Sequence, residues 1–212
     1  MTAETELRAQ LVHLSKSLFD RGFAVGSAGN ISVKLEDGIL ITPTNSCLGS
    51  LEPHRISKLD REGRHVSGDR PSKEVFLHQA FYDTRPGAGA VVHLHSTCAT
   101  ALSCLSDIDP DNTIRPITPY VVMRVGRVPL IGYVPPGDPG MGDLIRALGG
   151  ACSAVLLANH GAVVSGPDLE SAVYAAEELE ETAKLTMLLR GHDVRELTPE
   201  QIADLEARFA LR

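Results

Sequence analysis

The sequence predicts an α/β protein built on a mixed sheet covered by helices, and three observations carry that prediction. Helical periodicity alternates with short apolar runs along most of the chain. The first two strands, 31–35 and 39–42, are joined by Glu36-Asp37-Gly38, a hairpin signal that sets antiparallel pairing where a doubly wound parallel sheet would need a crossover helix. The 212 residues contain no internal repeat or low-complexity tract and suffice for one substantial core, so 1–212 reads as a single domain.

The elements follow in order. Leu7, Leu11, Leu14 and Leu18 recur at helical spacing with polar residues between them, and Gly22 stops this first amphipathic helix, on which His13 reads as structural. The small residues Gly26-Ser27-Ala28-Gly29-Asn30 lead into the hairpin, whose second strand runs out into Thr42-Pro43-Thr44-Asn45-Ser46. A second hairpin is predicted from Ile56-Ser57-Lys58-Leu59 to His65-Val66-Ser67, with His54 and His65 exposed. Pro71-Ser72 opens a helix carrying Val75, Phe76, Ala80 and Phe81, with Ser72 placed to cap it, Glu74 in its first turn, and a stop near Arg85-Pro86. Beyond a buried strand read over 90–96 come a helix over 97–105 and a polar loop over 107–112. The two prolines of Arg115-Pro116-Ile117-Thr118-Pro119-Tyr120 predict an extended segment that delivers Tyr120. A strand over 127–133, a helix over 143–148, a strand over 153–158 and a long helix from Asp168 to about Arg190 complete the body. Glu177, Glu178, Glu180 and Glu181 of that helix read as a solvated or intersubunit face, and Thr198-Pro199-Glu200 starts a short last helix.

Composition removes several classes of function. A net charge of −7 without a basic stripe argues against nucleic acid and anionic membranes as partners. The start of the chain is acidic where a signal peptide would be basic, and no apolar run approaches 18 residues, so a cytoplasmic protein is expected. Cys47, Cys98, Cys104 and Cys152 lack C-x-x-C spacing and read as reduced, mostly core thiols.

Chemistry gathers around Ala90-Val91-Val92-His93-Leu94-His95-Ser96. Alternate side chains of a strand share a face, so His93 and His95 point the same way and can grip one divalent metal if further ligands arrive from elsewhere. His160, in Asn159-His160-Gly161, ends a second apolar run, and the Glu74 carboxylate lies shortly before the pair. His78, one turn beyond Glu74, is a weaker candidate. The hairpin brings Gly29-Asn30 beside Thr44-Asn45, two loops of small and polar residues able to cradle a phosphate or to serve as ordinary turns.

Gly26-Ser27-Ala28-Gly29-Asn30, Thr42-Pro43-Thr44, Pro71-Ser72-Lys73-Glu74, Val91-Val92-His93-Leu94-His95 and Asn159-His160-Gly161, in this order, resemble the class II aldolase/adducin family from the first helix to the last. The resemblance implies a three-layer α/β/α sandwich around a mainly antiparallel sheet, with active sites at the subunit interfaces of a homo-oligomer, a tetramer by preference. It implies one Zn2+ per subunit, or another divalent metal, held by His93, His95, His160 and Glu74, with Glu74 also the acid/base. It implies phosphate binding by Gly29, Asn30, Thr44, Asn45 and Ser72, and proton transfer assisted by Tyr120. Lys73 departs from the fuculose-phosphate aldolase pattern, which has a second serine there. That departure, with the runs around 46–49, 67–74 and 115–124, resembles a branch that decarboxylates 3-oxo-tetronate 4-phosphates. The expected reaction is loss of CO2 through a metal-stabilised enediolate to give dihydroxyacetone phosphate, with Lys73 offered to a substrate anion. A ketose 1-phosphate aldolase, a zinc-dependent dehydratase and an adducin-like interaction module without catalysis are the alternatives.

Overall fold

The computed structural model of the chain describes residues 3–209. Eight strands form one sheet in the order β4-β3-β2-β1-β5-β8-β7-β6. They are β1 (Asn30–Leu35), β2 (Gly38–Ile41), β3 (Ser57–Asp60), β4 (His65–Ser67), β5 (Ala90–Leu94), β6 (Leu130–Ile131), β7 (Ala154–Leu157) and β8 (Gly161–Gly166). Every neighbouring pair is antiparallel except β6 with β7, which is parallel. The mixed, mainly antiparallel sheet expected from the early hairpins is therefore present.

Alternation along the strands sorts the core into two faces. Ala90 and Val92 of β5, with Leu40, Leu156 and Val164, pack under α1 (Ala3–Asp20), α3 (Thr97–Ser103), α4 (Pro119–Arg124) and α6 (Leu169–Leu188). Val91, Ile39, Ile41, Val155 and Val163 pack on the other face under α2 (Val75–Thr84) and α5 (Gly140–Ala147). The result is the three-layer α/β/α sandwich. A last helix, α7 (Pro199–Arg208), begins with a Thr198–Gln201 capping box and contacts α4.

Several details differ from the sequence expectation, each for a local reason. The hairpin turn uses Glu36 and Asp37, since Leu35 already pairs with Gly38. Gly38 is required by β3 instead, because a Cβ there would lie 1.9 Å from the Leu59 carbonyl oxygen. Helix α2 starts at Val75, so Glu74 stands at its N-cap position, and its side chain makes no cap bond. Ser72 does not cap α2; its Oγ accepts from the Glu74 amide at 3.2 Å. The strand expected over 127–133 shrinks to Leu130–Ile131. The segment before Tyr120 does not stay extended: Pro119 occupies the first position of α4, where its missing N–H costs nothing.

The acidic side of α6 is not simply solvated. The Glu180 carboxylate accepts from the Cys98 and Ala99 amides, both at 2.8 Å, and so caps α3, while Glu177 pairs with Arg21. The cysteines are all free, with Cys152 buried, Cys47 and Cys98 half-buried and Cys104 exposed, so only one is a core thiol. His54 and His65 are exposed, as expected, and His13, read as structural, is exposed too. Among the described residues, no helix is long and apolar enough to cross a membrane.

Candidate metal centre and substrate cleft

Three separate pieces of chain converge at one end of the sheet and bring four candidate ligands together. β5 delivers His93 on the α2 side of the sheet, and His95 follows one residue beyond its end. His160 sits in the β7–β8 turn, where Asn159 at φ 55 reverses the chain. Glu74 arrives from the N-cap of α2. The ring centroids of His93, His95 and His160 lie 4.6 to 4.9 Å apart pairwise. Their donor atoms, with a Glu74 carboxylate oxygen, all fall within 4.8 Å of one another.

The hydrogen bonding suits a cation. His93 Nδ1 donates to the Ala162 carbonyl at 2.9 Å, which leaves Nε2 bare and facing His95 Nε2, also at 2.9 Å. Glu74 Oε2 is 3.5 Å from His93 Nε2, and Oε1 is 3.5 Å from His160 Nε2. Burial, then the neighbouring His93 and His160 rings, push His95 down to about 4, against the pull of Glu74. His160 is lowered by burial and by His93. Burial would raise the Glu74 carboxyl, but His93, the Asn30 amide and the other two imidazoles outweigh it and hold it low. His95 and His160 held neutral beside an ionised Glu74, with the bare Nε2 of His93, suit a divalent metal, and three nitrogens with one carboxylate oxygen form a donor set suited to zinc.

Glu74 and His95 also border a cleft of about 280 Å³. Gly29, Asn30, Thr44, Asn45, Ser72 and Lys73 all line it, so every residue expected to meet the phosphorylated substrate is there. Backbone bonds bring the loops together: the Thr42 amide donates to Ile31, Thr44 to Arg70, and Ser72 to Thr42. Gly29, at φ +84, lies so close to β5 that a Cβ would come within 2.9 Å of the His93 carbonyl oxygen.

The Asn30 side chain lines the cleft, and its amide donates one N–H to Glu74 Oε2 at 2.8 Å, so it serves the carboxylate as well as the cleft. Tyr120 lies outside this cleft; it is 56% exposed on α4, whose Val121 and Val122 pack on the opposite face of the sheet from His93. Pro135-Pro136-Gly137 reads from the sequence only as a strand breaker, yet Pro136 and Gly137 line the cleft. The positive φ of Gly137 is a loop property that a breaker signal cannot separate from a binding one. His78 is not among the grouped donors, and its ring is engaged elsewhere.

This fold and cluster define a known class. The Class II Aldolase and Adducin N-terminal domain family matches residues 9–187, and the chain belongs to that family. A 3-oxo-tetronate 4-phosphate decarboxylase of Escherichia coli (strain K12) is 52% identical over 205 residues, covering 96% of this chain and 97% of the relative. An L-fuculose phosphate aldolase of Methanocaldococcus jannaschii is 34% identical over 181 residues, covering 85% of this chain and 96% of its own. The crystal structure of YgbL from Escherichia coli superposes with a TM-score of 0.94 at 50% identity, over 96% of this chain and 99% of that one. Decarboxylases and aldolases both break carbon–carbon bonds, and the chain is an enzyme of this lyase kind.

Proposed function

We propose that the chain decarboxylates a 3-oxo-tetronate 4-phosphate to dihydroxyacetone phosphate and CO2, with Zn2+ as its metal. The observation that carries this reading is the adjacency of the His93–His95–His160–Glu74 cluster to a cleft lined by phosphate-type loops and Lys73. The 52% identical decarboxylase supports it. Held by these four residues, a divalent cation would supply a Lewis acid for the substrate's C3 carbonyl oxygen. The backbone of Gly29, with Thr44, Asn45 and Ser72, would bind the phosphate, and Asn30 would keep Glu74 aimed. Lys73 would meet the carboxylate or the phosphate, and the substrate carries both anions whereas a ketose 1-phosphate carries one. Loss of CO2 leaves an electron pair at C2, and Glu74, ionised at rest, would pass to C2 a proton taken up from solvent.

An aldolase acting on a ketose 1-phosphate is the second reading, favoured by the 34% identical fuculose-phosphate enzyme. An adducin-like module would have no use for four clustered donor groups. Tyr120, exposed on the far layer, enters the chemistry only through a second copy of the chain. The test incubates zinc-loaded protein with phosphorylated 3-oxo acids and ketose phosphates. Stoichiometric CO2 and dihydroxyacetone phosphate from the acid is the expected outcome; aldehyde release from a ketose phosphate, with no CO2 from any acid, would overturn the decarboxylase reading.

A further inference from the structure

Behind Glu74 runs a line of buried polar groups that the reaction itself does not use. Asn30 Nδ2 lies 2.8 Å from Glu74 Oε2, and Asn30 Oδ1 lies 2.5 Å from His78 Nε2. His78 Nδ1 lies 2.8 Å from Ser32 Oγ, which in turn is 2.7 Å from the Tyr82 hydroxyl. Ser32 and His78 have no exposed surface, and Asn30 and Tyr82 are at most 7% exposed. The line crosses from β1 into α2, so strand and helix meet through polar atoms where their neighbours pack with apolar ones.

Donor accounting gives the line one direction. An ionised carboxylate only accepts, so the Asn30 amide turns its N–H2 to Glu74 and its oxygen to His78. That oxygen only accepts, so His78 carries its proton on Nε2. Burial, then the nearby His93 ring, lowers His78 to about 3 despite Glu74 and the Val91 carbonyl, so the ring is neutral and Nδ1 is a bare acceptor. Ser32 therefore donates to Nδ1 and accepts from Tyr82, whose phenol burial holds protonated.

We infer that His78 is a positioning residue for Glu74: it fixes the Asn30 amide in the one orientation that presents N–H to the carboxylate, with Ser32 and Tyr82 fixing the His78 tautomer. Without the His78 proton, a buried amide oxygen loses its partner and the orientation of Asn30 loses its lock. Glu74 then loses the donor that holds Oε2 beside His93 and Oε1 beside His160. The inference rests on the reading of Glu74 as metal ligand and acid/base. Partners that orient ligands from behind typically change metal affinity or activity by about 10–100-fold.

The experiment uses the full chain, stripped and reloaded with Zn2+ or Co2+, as wild type, His78→Leu, His78→Gln, Ser32→Ala and Tyr82→Phe. Zn2+ affinity is measured by chelator competition, ligand geometry by the visible spectrum of the Co2+ form, and kcat and KM separately. For His78→Leu the expected result is about 10–100-fold weaker Zn2+ binding, shifted Co2+ bands and a lowered kcat with KM near wild type. His78→Gln, whose amide N–H can reach Asn30, should recover most of each, and Tyr82→Phe should stay within about threefold of wild type because Ser32 still donates to the ring. A folded His78→Leu protein with wild-type Zn2+ affinity and an unshifted Co2+ spectrum overturns the inference. Should His78→Leu fail to fold, Ser32→Ala decides: shifted Co2+ bands support the line, and unshifted bands overturn it. A wild-type protein that binds neither ion overturns the metal reading, and the positioning role falls with it.

Discussion

His93 has the least freedom of the four clustered residues: its ring is fully buried, its Nδ1 is committed to the Ala162 carbonyl, and only Nε2 is left to face the cluster. Replacing it with alanine removes a donor and leaves a void no neighbour can fill. His93→Ala should lose bound metal and turnover together, measured by metal analysis of the purified protein beside a rate assay; full activity in a metal-free variant would exclude His93 as a ligand. Glu74→Gln keeps size and one oxygen but cannot exchange a proton. It should retain much of the zinc while kcat falls by about 100-fold or more, and normal turnover by this variant would remove Glu74 from the chemistry. At this scale the cluster was legible because strand alternation is a strict geometric rule: His-x-His must share a face. The commitment of Asn30 to Glu74 was not legible, since an asparagine in a small-residue loop reads the same whether its amide faces a ligand or a carboxylate.

Elements carry the site through close backbone approaches more than through side-chain packing. Gly161 opens β8 directly after His160, and a Cβ on it would lie 2.4 Å from the Leu94 carbonyl oxygen and 3.2 Å from His95 Cδ2. Its backbone angles are ordinary, so the constraint is space alone. Gly161→Ala should therefore spread β5 from β8 at the end where His95 and His160 meet. The expectation is a folded protein destabilised by about 1–3 kcal/mol, the cost of overpacking, with weakened metal binding; denaturant midpoints and metal titration check it, and unchanged metal affinity would show that the ligand end tolerates the spreading. The periodic elements, α1, β1 to β5 and α6, were readable from apolar spacing and turn residues. The stretch 115–124 was misread because proline marks both an extended segment and the first position of a helix, and only tertiary packing of Val121 and Val122 decides between them. The role of Glu180 escaped for a related reason: capping α3 joins residues 81 and 82 positions apart, beyond any local pattern.

The whole molecule joins three distant pieces of chain at a point where buried histidines are kept neutral, and this couples its stability to acid and to metal. His95, at about 4, and His78, at about 3, both lie below the ordinary imidazole value near 6.5. As pH falls below about 6.5 the unfolded chain takes up these protons first, so acidification favours unfolding. The stability these groups contribute is present above about 6.5, declines through the window down to their folded values, and is gone beneath it. In chelator, the urea midpoint should therefore fall steadily from pH 7 to pH 5, and more shallowly in His78→Gln, which lacks one of the two imidazoles. Added Zn2+ should raise the midpoint at pH 7, by about 2.7 kcal/mol in stability at a hundredfold excess over Kd. That gain should shrink as pH falls, because protons and metal compete for the same ring nitrogens. A metal-induced gain that stays constant across this range would mean that the ion binds somewhere other than the three imidazoles.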